Sequence, residues 1–138
     1  MIVKTIFQEV IFNKVKASTL FELYTDPIQH EAATGAAAII SGRLGEPFNL
    51  YNGFCFGENI DLKVNQLIIQ SWRTDGWPEG FDDSVVVIKL IEQDENTLLY
   101  LTHANVPSAL AASLHNGWHQ FYWNKWKAYL QIKNSSGT

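Results

Sequence analysis

The side chain in this sequence best placed to do chemistry is His103. It shares strand parity with Thr97, Leu99 and Leu101 in the run 97–104, so an inward-turned face would set an imidazole, with an ordinary pKa near 6.5, among apolar neighbours. Asp75 and Glu58 are carboxylates that could approach it, but no Ser-His-Asp or Cys-His order with a supporting local motif is present. A hydrogen-bonded structural histidine is the more economical reading. His115 and His119 stand at the i, i+4 spacing at which two imidazoles can share a metal. A zinc-protease helix would need Glu after the first His, where Asn116 stands, so no metal is expected. Trp72-Arg73 and Trp77-Pro78 could form an aromatic and cationic rim over a pocket, or simply cover a sheet. Cys55 has no His, Lys or Arg beside it to lower its pKa and reads as an inert core thiol. The segment 42–45 lacks the Gly-Lys-Ser/Thr of a phosphate loop. No catalytic set and no cofactor emerge.

The elements that must position these groups follow from periodicity. In 108–133, Leu110, Leu114, Trp118, Phe121, Tyr122, Trp126, Tyr129 and Leu130 recur at three- and four-residue steps, which predicts one long helix with an aromatic buried stripe. Pro107 suits the edge of that helix, and Ser108 can accept a bond from an orphan N–H of its first turn. Gly117 in mid-helix is unfavourable by about 1 kcal/mol against Ala, which close approach of the helix backbone to another element would compensate. Before it come a strand over 2–12, two short helices broken at Asp26-Pro27 and ending near Gly35, and about six strands to residue 104. Asn52-Gly53 marks a hairpin with a type I′ turn, and Gly57 a bulge.

With no alternation of strands and helices, the sheet is antiparallel and curved, and the long helix packs across it in an α+β fold. Leu99, Leu101 and His103 should then face Leu114, Trp118 and Tyr122 across a cavity, with Trp72 and Arg73 at its mouth. On this reading His103→Leu leaves the fold intact or stabilises it.

The formal net charge of −4 gives no electrostatic reason to bind nucleic acid. No apolar run approaches the roughly 18 residues of a membrane span, and 1–16 does not form a signal-peptide core. A lone cysteine fits a reducing compartment, so the expected location is the cytoplasm. At 138 residues the chain fits one domain, expected over 1–133, with a frayed polar tail over 134–138.

An ordered series of short motifs resembles the activator of heat-shock-protein-90 ATPase family. It runs through Tyr51-Asn52-Gly53, Gly57-Glu58, Asp61-Leu62, Gln70-Ser71-Trp72-Arg73, Trp77-Pro78-Glu79-Gly80, Asp83-Ser84, His103, Val106-Pro107, Gly117-Trp118 and Tyr122-Trp123. That family lies within the START-like, helix-grip superfamily related to birch-pollen allergen. The resemblance implies a curved antiparallel sheet gripping a long C-terminal helix over an apolar cavity. This chain departs from the family at Gly45-Glu46-Pro47, where paired glycines are common, and at Val64-Asn65-Gln66-Leu67, where a Pro-x-Lys turn is common. In the eukaryotic activator a linker joins such a domain to a separate chaperone-binding domain, and the expectation is that this chain has neither. The resemblance implies a non-enzymatic binding or regulatory domain whose partner is a heat-shock-protein-90-type chaperone. The alternatives are a carrier or sensor of a small hydrophobic ligand and, on fold kinship alone, a cyclase or hydratase using His103 as acid or base.

Overall fold

Alternation along β1 (Val3–Phe12) is strict from Ile6 on: Ile6, Gln8, Val10 and Phe12 are buried while Phe7, Glu9 and Ile11 stay exposed, as a sheet with one covered face requires. The computed structural model describes residues 2–136, with side chains from 2 to 133. Helix α1 (Ala17–Thr25) ends at Asp26, whose carboxylate accepts the Ile28 amide and caps α2 (Pro27–Thr34). Pro27 opens that second helix, and Gly35, at φ 82°, closes it.

Six further strands follow: β2 (Ala38–Ile39), β3 (Pro47–Leu50), β4 (Cys55–Lys63), β5 (Leu67–Thr74), β6 (Ser84–Gln93) and β7 (Asn96–Pro107). They form one seven-stranded sheet in the order β1-β7-β6-β5-β4-β3-β2, with every neighbouring pair antiparallel. The register sets Val86 beside His103, Ile88 beside Leu101 and Leu90 beside Leu99 on the concave face. The fold class read from the sequence is the one observed.

Three local expectations are corrected. The β3–β4 hairpin has its left-handed pair at Asn52 (φ 56°) and Gly53 (φ 89°), as type I′ demands, but Tyr51 is also left-handed (φ 54°). The ladder therefore stops at Leu50 and Cys55, leaving a four-residue loop. The bulge in β4 falls between Asn59 and Asp61 rather than at Gly57. Gly57 answers a different need, because a Cβ there would lie 1.9 Å from the Ser71 carbonyl oxygen on β5. Ser108 begins its helix but caps nothing with its side chain; its amide donates to the Ile2 carbonyl at 3.0 Å.

The long helix is interrupted. α3 (Ser108–Trp118) passes into a π turn (His119–Trp123) and then α4 (Asn124–Ser136). The extra residue in that turn rotates the helix beyond it: Tyr122 and Trp123 are both buried, whereas Phe121, expected inside, is 42% exposed. The expected polar tail lies outside the described residues at 137–138 and outside the described side chains at 134–136, where the backbone is still helical. Trp118, Tyr122, Trp123, Trp126 and Leu130 pack on Tyr24 of α1, Phe12 of β1 and the inward residues of the sheet. Among the described residues no helix is long and apolar enough to cross a membrane.

Candidate functional site

His103 is fully buried, and both its ring nitrogens are engaged. The indole N–H of Trp118 donates to Nδ1 at 3.0 Å, which leaves the proton on Nε2. Nε2–H then donates to Ser84 Oγ at 2.8 Å, and the serine hydroxyl donates to the Trp72 carbonyl at 2.5 Å. Each donor in this hydrogen-bonded series, Trp118 Nε1, His103 Nε2 and Ser84 Oγ, has one acceptor. Burial pushes the imidazole pKa down to about 3, so the ring is neutral at physiological pH. Asp75 and Glu58 are exposed and lie outside this buried chain. With no free lone pair and no proton to give without breaking a buried bond, His103 is built to hold Trp118 in place.

Two more buried polar groups carry structure that the sequence did not announce. His30 Nδ1–H donates to the Tyr24 carbonyl at 2.8 Å, and its Nε2 accepts the Tyr122 hydroxyl at 3.1 Å; burial lowers its pKa as well. Gln8 serves the π turn. The His119 amide bonds to the Asn116 carbonyl, and the His115 carbonyl accepts Gln8 Nε2 at 2.8 Å, while Gln8 Oε1 accepts the Trp123 indole N–H at 2.7 Å. Strand parity with Ile6 and Val10 was the available signal for Gln8. His30 shares a helical face with Ala33 and Thr34, all three buried, a pattern too short to read alone.

A mostly apolar open space lies to one side of this core, between the helix and the tip of the β3–β4 hairpin. It is a groove of about 320 Å³. Leu114, Gly117, Trp118 and Phe121 form its helical wall; Tyr51, Phe54, Cys55 and Trp72 face them, with Tyr122 between. Tyr51 ties the walls together by donating its hydroxyl to the Phe121 carbonyl at 2.7 Å. Gly117 does not permit a close helix–sheet contact as expected: a Cβ there would meet only the Phe121 ring, at 3.7 Å, and the position opens on the groove. Cys55 sits at the groove with its thiol pKa pushed up to about 12 by burial, so it is no nucleophile. The indole N–H of Trp72 has no acceptor among the described residues.

Of the residues singled out from sequence, the structure brings Trp72, Leu114, Trp118 and Tyr122 together on this groove. Leu99, Leu101 and His103 are fully buried in the sheet beneath the helix and form no part of its walls. Arg73 does not rim it. As the strand neighbour of Trp72 it points to the opposite face, where its Nε pairs with the Asp83 carboxylate and a terminal nitrogen donates to the Phe81 carbonyl at 3.3 Å. His115 and His119 have ring centroids 5.6 Å apart, and among the described residues no group of three or more His, Cys, Asp or Glu side chains could hold a metal ion.

Comparison with known proteins agrees with this architecture. A human activator of 90 kDa heat shock protein ATPase, homolog 1, is 26% identical over 103 residues, which is 75% of this chain but 30% of that protein. The chain thus spans about a third of the length of the curated relatives it matches. The crystal structure of an HSP90 activator from Plasmodium falciparum superposes with a TM-score of 0.81 at 25% identity, covering 95% of this chain and 97% of the other. A protein from Mesorhizobium loti shares the fold at a TM-score of 0.80 and 20% identity, over 94% and 98% of the two chains. The family model described as "Activator of Hsp90 ATPase homolog 1-like protein" matches residues 14–131, and this chain belongs to that family.

Proposed function

We propose that this chain is a non-enzymatic regulatory domain that binds a heat-shock-protein-90-type chaperone and raises its ATPase rate, acting in the cytoplasm. The observation that supports it most is the likeness to the Plasmodium activator, which extends over nearly the whole of both chains. The site chemistry points the same way. The groove walls carry no charged side chain, its thiol is held protonated, and the best acid–base candidate has both nitrogens committed to buried partners. A protein without catalytic groups can accelerate a partner's turnover by binding one conformation of that partner better than the others, and its effect is limited by that difference in affinity. The test is binding to the organism's own chaperone by calorimetry, with ATP hydrolysis measured in the presence and absence of this protein. Binding with stimulation is expected; absence of both removes the reading.

The aromatic groove supports a second reading, a carrier of a small hydrophobic ligand. Its volume is at the lower end of ligand sites, which run from about 300 to 1,000 Å³. Native mass spectrometry on gently purified protein decides it: a retained apolar mass that is lost in Trp118→Ala favours a carrier.

A further inference from the structure

We propose that the groove between the helix and the β3–β4 hairpin docks a segment of a partner protein that presents a large apolar side chain flanked by lysine or arginine. This rests on the reading of the chain as a chaperone-binding domain and names the surface that would make the contact. The lips of the groove are two aromatic rings that folding leaves outside: Phe54 is 52% and Phe121 42% exposed. Other apolar side chains are exposed elsewhere, Phe7 and Ile28 among them, but Phe54 and Phe121 flank one concave groove, and grouped exposure of this kind marks an interaction surface. A groove open along one side suits a side chain borne on a polypeptide better than a molecule to be engulfed.

The walls are set in advance. Tyr51 is pinned to the Phe121 carbonyl, Trp118 to His103, and Tyr122 to His30, so little side-chain freedom remains to be lost on binding. Gly117 adds an independent sign. It is helical and needs no unusual backbone angle, yet it sits where Ala would be about 1 kcal/mol better for the helix. Any side chain larger than methyl at 117 would project into the groove, so glycine keeps the opening clear at the expense of helix stability.

Charge gives the flanking chemistry. The loop 75–83 borders the sheet end of the groove: the Asp75 amide donates to the Phe54 carbonyl at 2.7 Å, and the Trp77 ring lies 6.3 Å from Trp72. This loop carries Asp75, Glu79, Asp82 and Asp83 and no lysine or arginine. Asp83 is neutralised by Arg73; Asp75, Glu79 and Asp82 are exposed. The helical wall opposite, 108–124, contains no Asp, Glu, Lys or Arg; Lys125 follows it, with its Nζ 5.9 Å from the Phe121 ring centroid and donating to the Thr34 carbonyl at 2.9 Å. A segment lying in the groove therefore meets an apolar floor, a shoulder of three exposed carboxylates at the sheet end and one hydrogen-bonded cation at the Phe121 lip, a balance that favours basic flanks at the sheet end through steering and specificity.

Two synthetic peptides with the same central Leu-Phe pair, one flanked by lysines and one by glutamates, test this with the intact protein, reading the Trp72 and Trp118 indole resonances by NMR. The lysine peptide should shift those signals and bind at least tenfold more tightly at low salt, with the difference shrinking at high salt. Gly117→Leu, checked for an unchanged circular dichroism spectrum, should weaken it tenfold or more. The combined Asp75→Asn, Glu79→Gln, Asp82→Asn variant should abolish the preference between peptides. Equal binding of both peptides, shifts confined to other surfaces, or undiminished binding by Gly117→Leu overturns the proposal. So does a copurifying apolar molecule that fills the groove and blocks the peptide, which assigns the site to a small ligand. If the chaperone binds wild type and Gly117→Leu alike, the docking site is wrong and the chaperone reading stands. If the chaperone fails to bind while the peptide arms hold, the chaperone reading falls alone.

Discussion

Replacing His103 by Leu removes the middle of a buried chain of hydrogen bonds while nearly conserving volume, and its cost can be worked from the geometry. Leucine offers no acceptor to the Trp118 indole N–H, now 3.0 Å from Nδ1, and Trp118 is only 3% exposed, so that donor is stranded. A stranded buried donor costs about 1 to 3 kcal/mol. Ser84 keeps its bond to the Trp72 carbonyl, so the damage stops there. Because the imidazole is neutral in the native state, the substitution recovers no desolvation energy of a buried charge. The expectation is therefore a loss of about 1 to 3 kcal/mol at neutral pH, or roughly 3 to 5 °C of melting temperature per kcal/mol in a chain of this size. This reverses the expectation from sequence that leucine would be tolerated or better, because the sequence did not show that Trp118 depends on His103.

The pH dependence supplies a second reading on the same variant. His103 has a native pKa of about 3 against roughly 6.5 unfolded. Between those values the unfolded chain binds the extra proton, so stability is complete above about pH 6.5 and falls as pH drops toward 3. The slope is about 1.4 kcal/mol per pH unit for this one group. His30, whose pKa is also lowered by burial, adds a fall of the same sign to both proteins. His103→Leu lacks the His103 contribution, so the gap between wild type and variant should close on acidification and vanish near pH 5. Urea unfolding followed by circular dichroism at several pH values measures it. A variant as stable as wild type at pH 7.5, or a gap that does not change with pH, refutes the hydrogen-bond chain as described.

Two further substitutions probe the π turn and the close approach of β4 to β5. Gln8→Leu strands both the His115 carbonyl and the Trp123 indole N–H, so a loss of about 2 to 4 kcal/mol is expected in urea unfolding; a loss below about 0.5 kcal/mol means the π turn does not need Gln8. Gly57→Ala forces a Cβ toward the Ser71 carbonyl, which is backbone and cannot swing away, so the β4–β5 ladder must open. A melting temperature lower by about 10 °C or more is expected, and an unchanged one contradicts the close approach.

Strand parity carried the sequence reading furthest. The alternation of Thr97, Leu99, Leu101 and His103 alone put the imidazole inside, and the structure has all four fully buried. The same rule, applied to Trp72 and Arg73, would have separated them, since strand neighbours face opposite ways. The Asp26-Pro27 break and the Asn52-Gly53 turn were legible because each needs particular residue types at particular backbone angles. The groove was legible only in part: Trp72, Leu114, Trp118 and Tyr122 were named from sequence, but the hairpin wall opposite the helix was not. Its position depends on the hairpin tip reaching the helix through the Tyr51 bond to the Phe121 carbonyl, a contact between residues 70 positions apart that no local pattern announces.

The π turn connects these observations. Trp118, Tyr122, Trp126 and Leu130 stand at four-residue steps, and in a straight α-helix of 3.6 residues per turn such a stripe winds about 40° further round with each step. Over three steps its last members would leave the sheet. One wider turn at His119–Trp123 takes back part of that drift, so all four remain buried and Trp123 joins them. An irregular turn needs partners for the backbone groups it displaces, which is why a glutamine occupies an inward position of β1 that alternation would otherwise give to an apolar residue. The same rotation turns Phe121 out of the core and onto Tyr51, where it becomes a lip of the groove. The exposed aromatic surface is thus a consequence of how the helix keeps its tryptophans buried. If Gln8→Leu lets the segment relax to a regular helix, Phe121 should move and the groove should lose its lip, so peptide binding and stability should fall together in that variant.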